Sequence, residues 1–166
     1  MTLNICIIGS AASIHVIKWS EYLVMQGHSV LIVSLDEPHI LIQKNVRVIQ
    51  LNNLYSFLFC PRIRHQLVKL IGETEIDLIQ IHSLGSYALI GIMLDPTRKL
   101  ISTPWGSDIL LYGLNPIKKY VIKKIVARSD WFTCDSLEVK QKLVQLGAKG
   151  NEISLINFGI DINKFI

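Results

Sequence analysis

Apolar and polar positions along the chain follow two alternating periods. Short, almost continuous apolar runs lie at residues 3–8, 30–35, 46–51, 78–81, 99–102, 131–134 and 153–156. Such runs are typical of strands buried on both faces of a parallel sheet. Amphipathic stretches with helical spacing separate them, at residues 14–26, 55–71, 87–93, 116–127 and 136–146. The repeated strand–helix–strand order predicts an α/β fold, a doubly wound Rossmann-like parallel sheet with helices on both faces.

Capping residues predict where several helices begin and end. Ser13 is placed to cap the first helix, and Gly27 is placed to end it in a left-handed conformation. Asp135 and Glu138 have the spacing of a capping box at the start of the last helix. Gly147 is placed to close that helix.

Composition narrows the class of protein. The 166 residues are 50% hydrophobic and 18% charged, which suits one folded domain and excludes a disordered chain. No apolar run has the length of a membrane span, and no basic-then-apolar secretory signal opens the sequence. Cys6, Cys60 and Cys134 form no Cys-x-x-Cys metal motif. We therefore expect a cytoplasmic protein that holds no metal.

The net charge of +4 is concentrated on two predicted helices. Their basic residues are Arg62, Arg64, His65 and Lys69 on one, and Lys118, Lys119, Lys123, Lys124 and Arg128 on the other. Basic faces attract anionic lipid, phosphorylated substrates or nucleic acid, although an ordinary solvated helix face is equally common. Aromatic residues at 55–59 precede the first set, and aromatic beside cationic groups suit a bilayer interface. Two alternatives stay open: peripheral membrane contact through Tyr55 to Lys69 or Lys118 to Arg128, or solvated faces with an aromatic cluster in the core. No nucleic-acid partner is expected.

The loop after the first strand is a candidate binding site, because ligands of parallel sheets bind beyond the carboxyl ends of the strands. Its residues are Gly9, Ser10, Ala11, Ala12 and Ser13, followed by His15 in the first turn of the helix. Small side chains let a ligand approach the backbone, and a helix N-terminus attracts an anion. A dinucleotide fingerprint is excluded because Ala11 and Ile14 stand where it needs glycine. His15 is suited to hydrogen bonding with a sugar hydroxyl, or alternatively to capping the sheet edge.

Two further loops carry unusual residues at strand ends. His82 and Ser83 follow a buried strand, where the histidine is either a site residue or a core-edge residue. In the loop after the next strand, Trp105 offers an apolar plate for a sugar ring, and Gly106 lets the backbone turn closely. Ser107 and Asp108 supply polar partners there, although Asp108 is also placed to cap a helical turn and Trp105 to pack in the core. The candidate substrate-binding set is Gly9, Ser10, Ala11, Ser13, His15, His82, Ser83, Trp105, Gly106, Ser107, Asp108 and Ser136.

Five segments together carry a resemblance to a known family. They are residues 15–35, with Gly27-His28 before an apolar strand; Asp77 to His82; Ser102 to Ile109; Asp130 to Ser136; and Ile153 to Phe165, with the turn Gly159-Ile160-Asp161. In this order they are similar to the amino-terminal domains of retaining glycosyltransferases of the GT-B type, family 4 (group 1). The similarity spans nearly the whole chain.

The resemblance implies the acceptor-side half of a transferase. Residues 1–156 would form a Rossmann-like domain, and 157–166 would begin a linker to a carboxy-terminal domain, in cis or in trans, that holds most of the donor. The apolar end at Phe165-Ile166 also leads us to expect that more protein follows. The enzyme would transfer a sugar, with retention, from a nucleotide sugar to a glycan or lipid-linked acceptor in polysaccharide biosynthesis. The nucleotide sugar is a co-substrate, no cofactor is expected, and this half alone should be inactive.

The same resemblance places the small-residue loop near the donor phosphates and the acceptor, with His15, His82 and residues 105–108 on the acceptor side. Trp105 stands where many members have a His in the sequence His-Gly-x-Asp, although a related subset uses Trp-Gly-x-Asp. We therefore assign no catalytic residue.

Two other functions remain alternatives. One is a non-catalytic or partner-dependent half that only binds an acceptor or a catalytic subunit. The other is a flavodoxin-like domain that binds a nucleotide or cofactor, which predicts a phosphate-binding Gly or Thr cluster or an acidic pocket after the first strand. Asp36-Glu37 resembles such a pocket only faintly.

Overall fold

The computed structural model describes residues 1–40, 42–43, 45–51, 54, 61–73, 75–93, 97–111, 115–157 and 159. Its strands are β1 (Asn4–Ile8), β2 (Ser29–Ser34), β3 (Arg47–Gln50), β4 (Leu78–His82), β5 (Lys99–Thr103), β6 (Trp131–Cys134) and β7 (Ile153–Leu155). Its helices are α1 (Ile14–Met25), α2 (Pro61–Glu73), α3 (Ser86–Ile92), α4 (Ser107–Leu110), α5 (Pro116–Arg128) and α6 (Leu137–Gln145), with a 3₁₀ turn at Gly150–Glu152.

The strands form one parallel sheet in the order β3-β2-β1-β4-β5-β6-β7. The chain begins at the centre, builds outward to β3, and then returns to add β4 on the other side of β1. The strand order therefore reverses between β1 and β4, and the loops that follow these two strands separate there. In open α/β sheets this switch point is where a crevice forms.

Both faces of the sheet are buried. Along β1, Ile5 and Ile7 belong to the core cluster on the α1 face, whereas Cys6 and Ile8 belong to the cluster on the opposite face. Helix α1 covers the first face with Val16, Trp19 and Leu23; α2, α3 and α5 cover the second with residues that include Leu67, Ile71, Ile90, Ile122 and Ile125. Burial on two faces explains why the strands read as continuous apolar runs, and the predicted doubly wound α/β fold is confirmed.

The sequence places the seven strands, and helices α1, α3, α5 and α6, to within one residue at each end. The predicted helix over 55–71 is observed from Pro61 onward as α2, and the predicted part at Tyr55 to Cys60 lies outside the described residues. Both glycine stops are confirmed, since φ is +84° at Gly27 and +110° at Gly147. Ser13 caps α1 as predicted, its Oγ accepting the N–H of His15 at 3.3 Å.

The predicted capping box at Asp135 and Glu138 is wrong. Ser136 is the N-cap of α6, and its Oγ accepts a hydrogen bond from the N–H of Val139 at 3.3 Å. The helix begins one residue later than a cap at Asp135 requires. The side chains of Val139 and Leu143, on the inner side of the helix, are buried in the core.

Close contact between α3 and β4 generates a first prediction. A Cβ added at Gly91 would overlap Ile81 Cδ1 and lie 3.1 Å from its Cγ1, and both residues are buried. We expect Gly91→Ala to lower the free energy of unfolding by about 1–3 kcal/mol through overpacking. Alanine's better helix propensity, about 1 kcal/mol, offsets only part of this loss.

Urea denaturation measures the effect, with Gly150→Ala as the matched control. A Cβ at Gly150 meets nothing within 4 Å. The control should change stability by less than about 0.5 kcal/mol. Equal stabilities of the two variants would contradict the described packing of α3 on β4.

Candidate functional site

Four aromatic rings meet at the crevice between β1 and β4. His15 and Trp105 lie edge to face with ring centroids 5.4 Å apart, and His82 lies 5.8 Å from Trp19 and 6.4 Å from Trp105. We call His15, Trp19, His82 and Trp105 the aromatic cluster. Three of its members were predicted from three separate loops. Sequence reasoning missed Trp19, although its position one helical turn after His15 places it on the same side of α1.

His82 is the buried centre of the aromatic cluster. Burial first, and the nearby His15 second, lower the pKa of His82 from 6.5 to about 3, so its ring is neutral near pH 7. Within the described residues, neither His82 nitrogen has a hydrogen-bond partner, and the buried Nε1 of Trp105 has none either. An unsatisfied buried polar atom costs about 1–3 kcal/mol. Such atoms in a native structure call for a functional explanation.

Gly9 brings the loop after β1 close to the end of β4. A Cβ at this position would lie 3.0 Å from His82 Cβ and 3.0 Å from Val16 Cγ2. The Gly9 N–H donates to the Val33 carbonyl oxygen at 3.0 Å, which ties the loop to β2 as well. A larger residue would push the loop away from His82, so the missing side chain allows the crevice to be this narrow.

The rest of this loop is fixed by bonds within the protein. The N–H of Ala11 donates to Ser34 Oγ at 2.9 Å, and the Ala11 carbonyl accepts the N–H of His39 at 3.1 Å. The Ser10 carbonyl accepts the N–H of Ser13 at 3.0 Å. These bonds hold the small-residue loop rigidly above the sheet. What the loop offers to a ligand is therefore a preformed backbone surface.

Asp108 joins the loops after β4 and β5. Its carboxylate accepts the N–H of Trp105 at 3.0 and 3.2 Å and the N–H of Leu84 at 2.5 Å. Gly106, with φ of +99°, is the N-cap of α4, so Asp108 lies inside this helix and reaches back. The alternative that Asp108 caps the following turn is thus wrong, because Gly106 is the N-cap of α4 and the Asp108 carboxylate accepts the N–H groups of Trp105 and Leu84 instead. Asp108 acts by positioning Trp105.

The remaining predicted residues lie around the aromatic cluster. Ser83 has φ of +67°, an uncommon value for serine, and its N–H donates to the Thr103 carbonyl at 3.0 Å. Ser107 is exposed in the first turn of α4. The Ser136 hydroxyl accepts the capping bond of α6.

Two clefts flank the aromatic cluster. One of about 410 Å³ lies between α1 and the chain after β7, where Lys18 Nζ donates to the Gly159 carbonyl at 2.9 Å. It is lined by His15, Lys18, Trp19, Tyr22, Ile156, Asn157 and Gly159. The other, of about 300 Å³, lies beside Asp108 between the loops after β4 and β5 and the start of α5. A cleft of about 520 Å³ at the amino ends of β1, β2 and β3 is remote from these loops. Parallel sheets place ligands at the carboxyl edge, so the candidate site is the crevice with its two flanking clefts.

Across the described ranges, no three His, Cys, Asp or Glu side chains gather into a group that could hold a metal ion. None of the helices in the described part of the chain is long and apolar enough to cross a membrane.

Solved structures share this fold. Anabaena HepE, in complex with UDP and glucose, is 16% identical with a TM-score of 0.72, over 97% of this chain and 46% of that chain. The apo lipopolysaccharide outer core galactosyltransferase WaaB is 14% identical with a TM-score of 0.67, over 98% and 47%. A UDP-N-acetylglucosamine 2-epimerase is 12% identical with a TM-score of 0.62, over 93% and 48%. The chain therefore spans about half the length of each, and at these identities the likeness shows the fold alone.

The fold and its switch-point crevice define a class, the Rossmann-like domain of GT-B proteins. No curated protein sequence matches the chain. The family model described as glycosyl transferase 4-like matches residues 4–136, which is more than half of the chain. The chain belongs to the glycosyl transferase 4-like family, which confirms the resemblance seen in the sequence.

Removing the Asp108 carboxylate should loosen the loop that carries Trp105. Asp108→Ala leaves the N–H groups of Trp105 and Leu84 without their acceptor, so we expect the free energy of unfolding to fall by about 1–3 kcal/mol. Asp108→Asn keeps one acceptor oxygen and should lose less. Urea denaturation measures both, with the exposed Glu37→Ala as control. Unfolding curves for Asp108→Ala that superimpose on those of the parent protein would refute the positioning role.

Protonation of His82 should destabilise the fold. Its folded pKa, about 3, is below the ordinary value of 6.5, so between these values the unfolded chain binds the extra proton. The free energy of unfolding should therefore fall as the pH drops through this window, by up to about 1.4 kcal/mol per pH unit. Above the window, the stability contributed by the neutral His82 is complete and no longer varies with pH. Urea denaturation from about pH 7.5 to about pH 4 should show a shallower slope for His82→Gln than for the parent protein. Identical slopes would mean that His82 is not buried as described.

Proposed function

We propose that this chain is the acceptor-side domain of a sugar-nucleotide-dependent glycosyltransferase of the retaining type. The acceptor, a glycan or a lipid-linked sugar, binds in the crevice between the loops after β1 and β4. The donor is held mainly by a second domain, which lies in the same polypeptide or in a partner. A cytoplasmic location and a role in polysaccharide biosynthesis remain predictions.

The aromatic cluster carries this proposal. Sugars present C–H faces that stack on aromatic plates and hydroxyls that exchange hydrogen bonds. The cluster supplies both partners, since Trp19 and Trp105 flank His82, whose neutral ring has one donor and one acceptor nitrogen. A neutral imidazole can hydrogen-bond to a hydroxyl without the desolvation cost of a buried charge.

The domain's size supports a division of labour. The chain covers less than half of HepE, whose structure contains UDP and glucose, and of WaaB. Retaining transfer needs electrostatic stabilisation of a leaving diphosphate. In the described crevice, the amides at the start of α1 are placed to meet such charge, and the nearby Lys18 Nζ is already bonded to the Gly159 carbonyl. We infer that the main diphosphate ligands belong to the second domain, and this chain alone should transfer no sugar.

The two alternatives predict different features. A flavodoxin-like domain would use an acidic pocket after the first strands, but Asp36 Oδ2 accepts a 2.8 Å hydrogen bond from Tyr87 and is engaged within the protein. The family match also favours sugar transfer over this alternative. A non-catalytic half would give no sugar transfer even together with its second domain, so assays on the complete protein separate it from our proposal.

The test is sugar transfer by the complete two-domain protein or complex. Trp105→Ala removes the stacking plate, and we expect kcat/KM for the acceptor to fall at least about tenfold, mainly through KM. Trp131→Ala is the matched control, because Trp131 lies on β6 and its Nε1 donates to Ser154 Oγ, outside the crevice. Transfer from radiolabelled nucleotide sugars to added acceptors provides the measurement.

Three results would decide the matter. Loss of acceptor affinity in Trp105→Ala with an unchanged Trp131→Ala supports the proposal. Equal losses in both variants would place the effect in stability rather than in binding. No transfer by the complete protein with any nucleotide sugar would favour the non-catalytic alternative.

A further inference from the structure

Neighbouring strands of the sheet carry buried polar side chains. Gln80 on β4, Thr103 on β5 and Thr133 on β6 are 2%, 2% and 6% exposed. An apolar residue is the ordinary choice inside a sheet buried on both faces, because a buried polar group lowers stability unless it is hydrogen-bonded. We call these three side chains the polar row, and their presence calls for an explanation other than core packing.

The polar row lies on the α1 face of the sheet, together with His82. Side chains alternate between the two faces of a strand, and Ile79 and Ile81 belong to the core cluster on the opposite face. Gln80 and His82 therefore point to the α1 face. Thr103 pairs with His82 in the register of β4 and β5, so its side chain points to the same face. The row thus adjoins the buried centre of the aromatic cluster.

Hydrogen bonds join the polar row across three strands. Gln80 Nε2 donates to Thr103 Oγ1 at 3.1 Å. The hydroxyl oxygens of Thr103 and Thr133 are 2.7 Å apart, and either can be the donor. The Thr103 hydroxyl therefore has one partner on each neighbouring strand. A satisfied buried network fixes one geometry, and loss of its central member would leave the other two without that partner.

Thr103 is also the last residue of β5, where the Trp105 loop leaves the sheet. Its carbonyl accepts the N–H of Ser83, the first residue after β4, at 3.0 Å. The next residue, Pro104, has no N–H and cannot extend the ladder of backbone bonds. The N–H of Trp105 then donates to Asp108 within the same loop. Thr103 therefore fixes the point from which this loop departs.

We propose that Thr103 is a positioning residue, whose hydroxyl sets the spacing of Trp105 and His82 and so the width of the crevice. The centroids of these two rings are 6.4 Å apart. Thr103 pairs with His82 and precedes Trp105 by two residues, so any shift of Thr103 against β4 moves one ring relative to the other. Thr103 acts through the rings and needs no contact with a substrate. The consequence for an acceptor sugar rests on the proposed function.

Ser102 provides a matched control on the same strand. It is fully buried, and its hydroxyl oxygen lies 2.7 Å from Ser129 Oγ, just after α5. As the neighbour of Thr103, it points to the opposite face of the sheet, away from the polar row. Ser102→Ala thus removes a buried hydroxyl without altering the row. This variant separates a positioning role from a general loss of stability.

The first readout is the indole N–H resonance of Trp105 by nitrogen-15 NMR. Thr103→Val keeps the shape of the side chain and removes its hydroxyl, so we expect the Trp105 signal to move. Thr103→Ser keeps the hydroxyl and should restore the parent signal, and Ser102→Ala should leave the signal in place. Thr133→Val removes one partner of Thr103 and should move the signal less. It decides the question if Thr103→Val does not fold.

The second readout is the acceptor KM of the complete two-domain protein or complex. We expect Thr103→Val to raise this KM about three- to tenfold with kcat nearly unchanged, because a crevice of altered width binds the acceptor less well before and during transfer. Thr103→Ser and Ser102→Ala should stay within about twofold of the parent KM.

Three outcomes would overturn the proposal. They are an unmoved Trp105 signal in Thr103→Val, an equal movement in Ser102→Ala, and a moved signal with an unchanged acceptor KM in an active protein. The NMR readout requires no sugar transfer. A complete protein without activity would therefore count against the proposed function, while the Trp105 signal would still decide the role of Thr103.

Discussion

A parallel sheet buried on both faces is the constraint on which the rest of this structure depends. Parallel strands need a crossover between each pair, and here the crossovers are mostly helices that cover the two sides. Because the chain starts at the centre and builds in both directions, the order must reverse once, between β1 and β4. That reversal separates the two loops that follow these strands. The crevice is thus a product of topology before any functional residue is considered.

Residue chemistry then shapes the crevice. Gly9 allows the first loop to approach His82, and Asp108 holds the Trp105 loop against the loop after β4. The result is a set of rings in which both His82 nitrogens and the Trp105 Nε1 are buried without a hydrogen-bond partner among the described residues. Unpaired buried polar atoms lower the stability of this edge, whereas the sheet below it is fully packed. Natural proteins show this combination at functional sites. A neutral His82 is the consequence of burial, so the ring keeps its charge state as the pH varies near neutrality.

The sequence predicts the fold well for physical reasons that can be named. Continuous apolar runs mark the strands because both faces are buried, and Gly27 and Gly147 stop helices because they adopt positive φ. The start of α6 is not predicted, since Asp135 and Ser136 are neighbouring residues that both favour the cap position, and the structure uses Ser136. Trp19 is missed because only the strand order brings α1 and its ring beside His82. The bonding partners of Asp108 are not predicted, because no local sequence pattern shows that its carboxylate accepts the N–H groups of Trp105 and Leu84.

The central claim is that a sugar binds at the aromatic cluster, and the three tryptophans of the chain allow a direct test. The measurement is the indole N–H resonances of Trp19, Trp105 and Trp131 by nitrogen-15 NMR during titration with an oligosaccharide library. Trp19 and Trp105 lie in the cluster, and Trp131, on β6, is the internal reference. The account predicts saturable shifts of the Trp105 and Trp19 signals with Trp131 unmoved. Shifts confined to Trp131, or a bound sugar that moves none of the three, would contradict it.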